Sequence, residues 1–232
     1  MESIQQHSKA KYHRLSKLDQ EKLFRQDDDG SDARQSINLC VASSRPDEIG
    51  DRCKDWASVN TPIGFKMSSI QDCQIFISVL YDTLLTKEFL CGRDCYNFHP
   101  GILPDYRGSG AYSWALINKE RKTGITLHKI DYNIDSGPII ARRTTPIAEY
   151  DTAETLFDRC MDLLFKLFQD YFHKILTNNY ATTDNSGGHL YLKKDLQEVK
   201  DISHIVRALT FKNKESAYWY DSNDKKHYIN WE

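Results

Sequence analysis

The run Ile75-Phe76-Ile77-Ser78-Val79-Leu80 constrains this chain more than any other stretch. It is too short for a core helix and almost unrelieved by polar residues. That pattern suits a parallel strand buried on both faces, which requires helices above and below the sheet. Other runs extend the pattern. Ile37-Asn38-Leu39-Cys40-Val41 alternates like a strand, and Cys95-Tyr96-Asn97-Phe98 reads as another that ends at Pro100. Thr123 to Ile130 and Gly137 to Thr145 are two further β-rich runs. Helical signals lie between them. Pro46-Asp47-Glu48 opens a helix toward Val59, and Gly110 to Asn118 holds a short one. Asp151-Thr152-Ala153-Glu154 has the form of a capping box, with Leu156, Cys160, Leu163, Leu164, Leu167, Tyr171 and Ile175 at helical spacing up to about Leu176. The alternation predicts an α/β class: a Rossmann-like, largely parallel sheet flanked by helices.

Three segments follow from changes in composition. Residues 1–36 are polar, with helical spacing over Ala10 to Arg25 and an acidic run Asp27-Asp28-Asp29-Gly30-Ser31-Asp32, and are expected to form a mobile extension. Residues 37–180 are expected to form the main α/β domain. Residues 181–232 form a small C-terminal subdomain, in which Leu196 to Leu209 is helical and Ser216 to Tyr220 pairs with Lys226 to Trp231 as a hairpin.

Charge and cysteine content narrow the functional classes. A net charge of −2 speaks against a nucleic-acid partner, which favours a basic excess. No run is long enough to span a bilayer, and residues 1–20 lack the apolar core of a signal peptide. The six cysteines are therefore expected to be free thiols in a reducing cytoplasm. Cys91, Cys95 and His99 fall at a spacing that invites zinc, but a fourth ligand is missing at usual spacing, and no metal is expected.

The chemistry-bearing residues are Asn97, His99 and Asp135. The first two close a strand, where an open α/β sheet presents its ligand crevice, and Asp135 lies in the loop between two later strands. A carboxamide can donate to a developing oxyanion, an imidazole can relay a proton near neutral pH, and a carboxylate can fix the imidazole's tautomer. Ser136, beside Asp135, lacks the strand-turn-helix setting of an activated nucleophile, so direct attack by a substrate nucleophile on a carbonyl carbon is indicated. The same residues also suit plainer roles: Asn97 as a loop cap, Asp135 as an Asx-turn before Gly137, and His128 as a satisfied pocket-wall histidine.

The stretch from Asn97-Phe98-His99-Pro100-Gly101-Ile102-Leu103-Pro104 through Asp105-Tyr106-Arg107-Gly108 resembles the signature of formyltransferases that use 10-formyltetrahydrofolate. Thr123-Gly124-Ile125-Thr126-Leu127-His128 and Asp131 through Gly137 also resemble it, and the likeness spans roughly Ile37 to Leu176. The resemblance implies the formyltransferase fold and catalytic roles for Asn97, His99 and Asp135. It places the folate near Val79, Leu80, Tyr81 and Leu85 on one loop and Asp131 and Ile134 on another.

Two departures stand out. The family usually has Ser where this chain has Gly101, and it usually has a strand and helix ahead of the one matching Ile37 to Val41. No equivalent is legible in residues 1–36.

Among the family's acceptors, the short and slightly acidic tail argues against a methionyl-tRNA, and Tyr106-Arg107-Gly108 with the continuing tail argues against glycinamide ribonucleotide. His189 to Leu196, Ile205 to Phe211 and Ala217 to Tyr220 are similar to the sugar-nucleotide N-formyltransferases. That resemblance implies a dideoxy amino sugar on a nucleoside diphosphate, dTDP by expectation. It also implies a homodimer and a place in surface-glycan biosynthesis. Tyr106, Arg107 and Gly108, with Lys193, Arg207 and Trp219 from the tail, are the candidate acceptor contacts, the cations for a pyrophosphate and the aromatic ring for a base. The rival reading is a formyltetrahydrofolate hydrolase or a non-catalytic folate binder.

Overall fold

A computed structural model describes residues 36–45, 49–198, 202–210, 218–220 and 225–228. The expected extension and its helix, together with Pro46 to Glu48 and the Asp221 to Asp224 turn, lie outside the described residues. So does the side chain of Trp219.

The central sheet holds β1 (Ile37–Ala42), β2 (Phe65–Met67), β3 (Ile75–Val79), β4 (Asp94–His99), β6 (Lys122–Lys129) and β7 (Ile139–Pro146), in the order β2-β1-β3-β4-β6-β7. The first four run parallel, β6 is antiparallel to β4, and β7 is antiparallel to β6. Mostly parallel strands with flanking helices are the architecture expected from the sequence. The strand β5 (Tyr106–Gly108) lies outside this sheet and pairs in parallel with β8 (His189–Tyr191).

Strand periodicity sorts the two faces. Ile75, Ile77, Val79, Tyr96, Phe98, Ile125 and Leu127 face one way, against α1 (Ile49–Asn60) and α4 (Ala153–Leu176). Within this layer Trp56 meets Phe172 edge-on at 5.5 Å and Phe98 meets Phe168 at 5.4 Å. The stripe read from the sequence needs one revision. Leu163 and Tyr171 are only partly buried, while Met161, Phe168, Phe172 and Leu176 are inside. A 24-residue helix drifts around its axis relative to a sheet, so the buried arc is wider than a strict stripe.

The capping box is also shifted by one residue. Thr152 is the cap and exchanges hydrogen bonds with Thr155, while Asp151 accepts from the Ala148 amide, the Thr155 hydroxyl and Arg159.

The opposite face carries Cys40, Phe76 and Cys95, with Tyr81, Leu85, Phe89, Leu90 and Ile130 half-covering them. Its helical cover there is α2 (Lys87–Leu90), a single turn. All six cysteines are free, and Cys95 is buried in this cluster while Cys91 is exposed.

After α4 the chain returns to the first elements. Thr183 bridges Ile139, β8 adds to β5, and a 3-10 segment (Lys193–Glu198) precedes α5 (Ile202–Leu209). The single helix expected from Leu196 to Leu209 is thus two described pieces. The Ser113 hydroxyl, on α3 (Ala111–Ile117), donates to the Ala208 carbonyl at 2.6 Å and ties α5 down. The strands β9 (Tyr218–Tyr220) and β10 (Lys226–Tyr228) pair antiparallel, the hairpin the sequence suggested.

Candidate active site

Asn97 and His99 are two residues apart on β4, so both side chains leave the same face of the sheet. Register then builds a polar row across three strands: Ser78 on β3 faces Asn97, and Asn97 faces His128 on β6. The Ser78 hydroxyl donates to Asn97 Oδ1 at 2.8 Å, which fixes the carboxamide orientation. Its Nδ2 is turned to His128 Nε2 and Asp135 Oδ1, each at 3.2 Å. His128 Nδ1 lies 2.7 Å from the Lys129 carbonyl, which assigns its proton to Nδ1 and leaves Nε2 to accept from Asn97.

Asp135 arrives from the β6–β7 loop with a φ of 47°, in the left-handed region that a non-glycine residue seldom occupies. Its Oδ2 is 3.3 Å from His99 Nδ1 and accepts the Gly108 amide at 2.9 Å. The structure therefore brings Asn97, His99 and Asp135 into one cluster.

Burial works to raise the Asp135 carboxyl. The charge of His99 and the hydrogen bond from the Gly108 amide together hold it well below the usual carboxylate range. Burial pushes the His99 imidazole down, opposed by the Asp135 charge and by the Tyr106 carbonyl. His99 Nε2 sits 2.6 Å from that carbonyl, so in this state Nε2 holds a proton. Thr126, fully buried, shapes the loop beneath: its hydroxyl donates to the Gly101 carbonyl at 2.6 Å and accepts the Leu103 amide at 3.1 Å.

The Gly101 departure now has a physical setting. A Cβ built there would lie 2.7 Å from His99 Nε2 and 2.8 Å from the Tyr106 carbonyl oxygen. The space a Ser would fill is taken by the His99–Tyr106 contact.

Among the residues expected near a folate, Val79 is buried in the core beneath the sheet and Leu80 with it, so their side chains pack rather than line the crevice. Tyr81 and Leu85 belong to the half-covered apolar shelf on the site's own face. Ile134 is exposed, and Asp131 accepts the Ser136 hydroxyl at 2.5 Å and the Asn133 amide at 3.2 Å, organising the loop that carries Asp135.

The expected acceptor contacts spread further. Tyr106 donates its hydroxyl to Glu120 and stacks on Tyr191 at 5.1 Å. Arg107 donates to the Asn185 carbonyl, and Gly108 serves Asp135 itself. The Lys193 side chain is exposed. Arg207 donates to the carbonyls of Asp151 and Ala148, at 2.7 and 2.9 Å, so its guanidinium fixes the turn into α4. A long cation on an amphipathic helix gave no hint in sequence that two carbonyls would claim it.

Sequence reasoning passed over Ser78, Thr126 and Asn185. Ser78 and Thr126 were legible in principle, each a polar residue interrupting an apolar strand. Asn185 had no local signal.

Residues 67–170 match the Formyl transferase family profile. A dTDP-4-amino-4,6-dideoxyglucose formyltransferase from Mycobacterium bovis is 31% identical over 150 residues, 60% of this chain and 64% of the relative. The chain thus spans a little under two thirds of that relative's length. A methionyl-tRNA formyltransferase from Synechococcus elongatus is 42% identical over 97 residues, 40% of this chain and 30% of the relative.

Among solved structures, a 4-N formyltransferase from Francisella tularensis superposes with a TM-score of 0.72 at 16% identity, covering 84% of this chain and 98% of that one. An N-formyltransferase from Helicobacter canadensis, solved in complex with folinic acid and dTDP-3-aminofucose, gives 0.66 at 21% identity over 80% and 89%. The edge of the sheet on that side is β2, paired with β1, and the segment ahead of Ser36, in which no equivalent of the family's first strand and helix is legible, lies outside the described residues.

Proposed function

We propose that this protein is an N-formyltransferase. It would move a formyl group from 10-formyltetrahydrofolate to the amine of a nucleotide-linked dideoxy amino sugar, with dTDP as the nucleotide. The observation that carries the reading is the convergence of Asn97, His99 and Asp135 on one face of the sheet. The match of residues 67–170 to the formyl transferase profile, a relative named for a dTDP-amino sugar and a similar fold holding folinic acid with a dTDP-sugar all support it. The half-covered shelf of Tyr81, Leu85, Leu90 and Ile130 beside Asp131 suits a flat conjugated ring with a polar edge.

In the proposed reaction the unprotonated amine attacks the formyl carbon. A new C–N bond forms, the bond to the folate nitrogen breaks, and the amine proton passes by way of His99 to the leaving nitrogen. Asn97 and His99 donate to the oxyanion, a contribution of about 3 kcal/mol for one such donor. In the described state both sets of hydrogens are engaged, Asn97 Nδ2 with His128 and Asp135, and His99 Nε2 with Tyr106. The reacting carbonyl takes them over by exchange for these intramolecular acceptors. Asp135, kept ionised, orients the imidazole and balances its charge.

The test is turnover of 10-formyltetrahydrofolate against dTDP-, UDP- and GDP-linked amino sugars and initiator methionyl-tRNA, following tetrahydrofolate release and product mass together. A gain of one formyl group on a dTDP-amino sugar is expected. Release without any formylated product would replace this reading with hydrolysis. His99→Asn should lower turnover by roughly a hundredfold or more while the fold is kept, as removing a general acid–base does. Near-wild-type turnover in that variant would remove His99 from the mechanism.

A further inference from the structure

Asn185 lies in the tail, fifty residues beyond Asp135 in sequence, and is almost completely buried. Its Nδ2 donates to the Asp135 carbonyl at 2.9 Å and to the Gly137 carbonyl at 2.7 Å, straddling the turn that holds Asp135. Asp135 is the residue of that turn with a left-handed backbone. Such a conformation is strained for an L-residue and persists where neighbours over-determine it. The carboxamide of Asn185 supplies the over-determination from outside the loop.

The segment around Asn185 is itself anchored at several points. Thr183 and Ile139 exchange backbone hydrogen bonds at 2.7 and 3.0 Å, and Arg107 donates to the Asn185 carbonyl. Gly188 crosses the Pro104 carbonyl so closely that a Cβ there would lie 1.8 Å from the oxygen. Beyond it β8 pairs with β5, whose Gly108 amide donates to Asp135 Oδ2. Both restraints on Asp135, one on its backbone and one on its carboxylate, thus run through the tail.

We propose that Asn185 is a positioning residue. Its carboxamide, donated to the Asp135 and Gly137 carbonyls, holds the turn that aims the Asp135 carboxylate at His99 Nδ1, so that the proposed formyl-transfer site is completed by the tail segment. The catalytic consequence rests on the proposed function, whereas the geometric claim does not.

The experiment compares Asn185→Ala and Asn185→Asp with wild type and with Asp135→Asn, in the full-length chain. Asn185→Asp keeps the side-chain volume and replaces the donor with an acceptor, so it stands in if the alanine variant does not fold. Ring nitrogen chemical shifts of 15N-labelled histidine, assigned by His99→Asn, are followed against pH. Both Asn185 variants should shift His99 in the same direction as Asp135→Asn, to a lower titration point, because the neighbouring carboxylate favours the charged ring. In the turnover assay kcat should fall by roughly a hundredfold, the scale of a small misplacement of a reacting group, with KM for the folate little changed. A His99 titration identical to wild type, with only the thermal midpoint lowered, would overturn the proposal and leave Asn185 a packing residue. If wild type turns over no acceptor, the histidine shifts still decide the matter independently of the formyl-transfer reading.

Discussion

At the residue scale, His99 is held between two acceptors and a core. Asp135 at Nδ1 and the Tyr106 carbonyl at Nε2 favour the charged ring, while burial favours the neutral one, and burial prevails. A histidine whose folded value is depressed binds its proton more readily when the chain is unfolded. Its stabilising contribution is therefore whole above the unfolded value of about 6.5 and is lost as the pH falls through it. Asp135 adds in the same sense lower down: its contribution is present above about 3.9 and lost as the pH falls toward its depressed folded value. Urea unfolding of wild type and His99→Gln between pH 5 and 8 checks the first statement. Wild type should lose stability relative to the variant as the pH falls below about 6.5, and a relative gain on acidification would mean that the pair with Asp135 outweighs burial.

Gly101→Ser belongs to this scale as well. The added atoms would press on His99 Nε2 and on the Tyr106 backbone, and the cost expected for overfilling such a site is about 1–3 kcal/mol. Urea midpoints would read it, and the His99 ring shifts would move with it.

At the scale of elements, the sheet and its main helix were readable because burial imposes period two on strands and 3.6 on helices. Ser78, Asn97 and His128 could not be joined that way. Each was visible as a polar residue in a strand, but their alignment depends on the register of β3, β4 and β6, which local sequence does not encode. The start signal of α4 was legible to within one residue. The box at α4 uses Thr152 and Thr155, since Asp151 is drawn to the Ala148 amide and Arg159. Thr152→Ala should cost about 1 kcal/mol, measured by chemical denaturation, whereas Glu154→Ala should cost little. Phe168→Ala, at the centre of the layer beneath the sheet, should cost about 3–5 kcal/mol in the same measurement.

At the scale of the whole molecule, the tail is part of the site's construction. The strand β8, Asn185 and Arg207 all grip elements of the first 151 residues. A chain ended after α4 would lose the partner of β5 and the Asn185 carboxamide that donates to the Asp135 turn. Such a truncation is expected to lose turnover far beyond its loss of helical signal, as read by assay beside circular dichroism. Among the described residues no helix is long and apolar enough to cross a membrane.

The sequence alone determined the α/β class, the parallel run of strands, the long amphipathic helix and the three residues on which the chemistry is proposed to turn. Those are local properties, written in side-chain periodicity and in motifs a few residues long. Only the tertiary structure decided that β2 forms the sheet edge beside β1, that Val79 packs into the core, that Arg207 donates to two carbonyls, and that Ser78, Thr126 and Asn185 hydrogen-bond to Asn97, to the Gly101 loop and to the Asp135 turn. Strand register and long-range carbonyl partners set those outcomes, and both are chosen by which groups burial leaves unsatisfied once the chain has closed on itself.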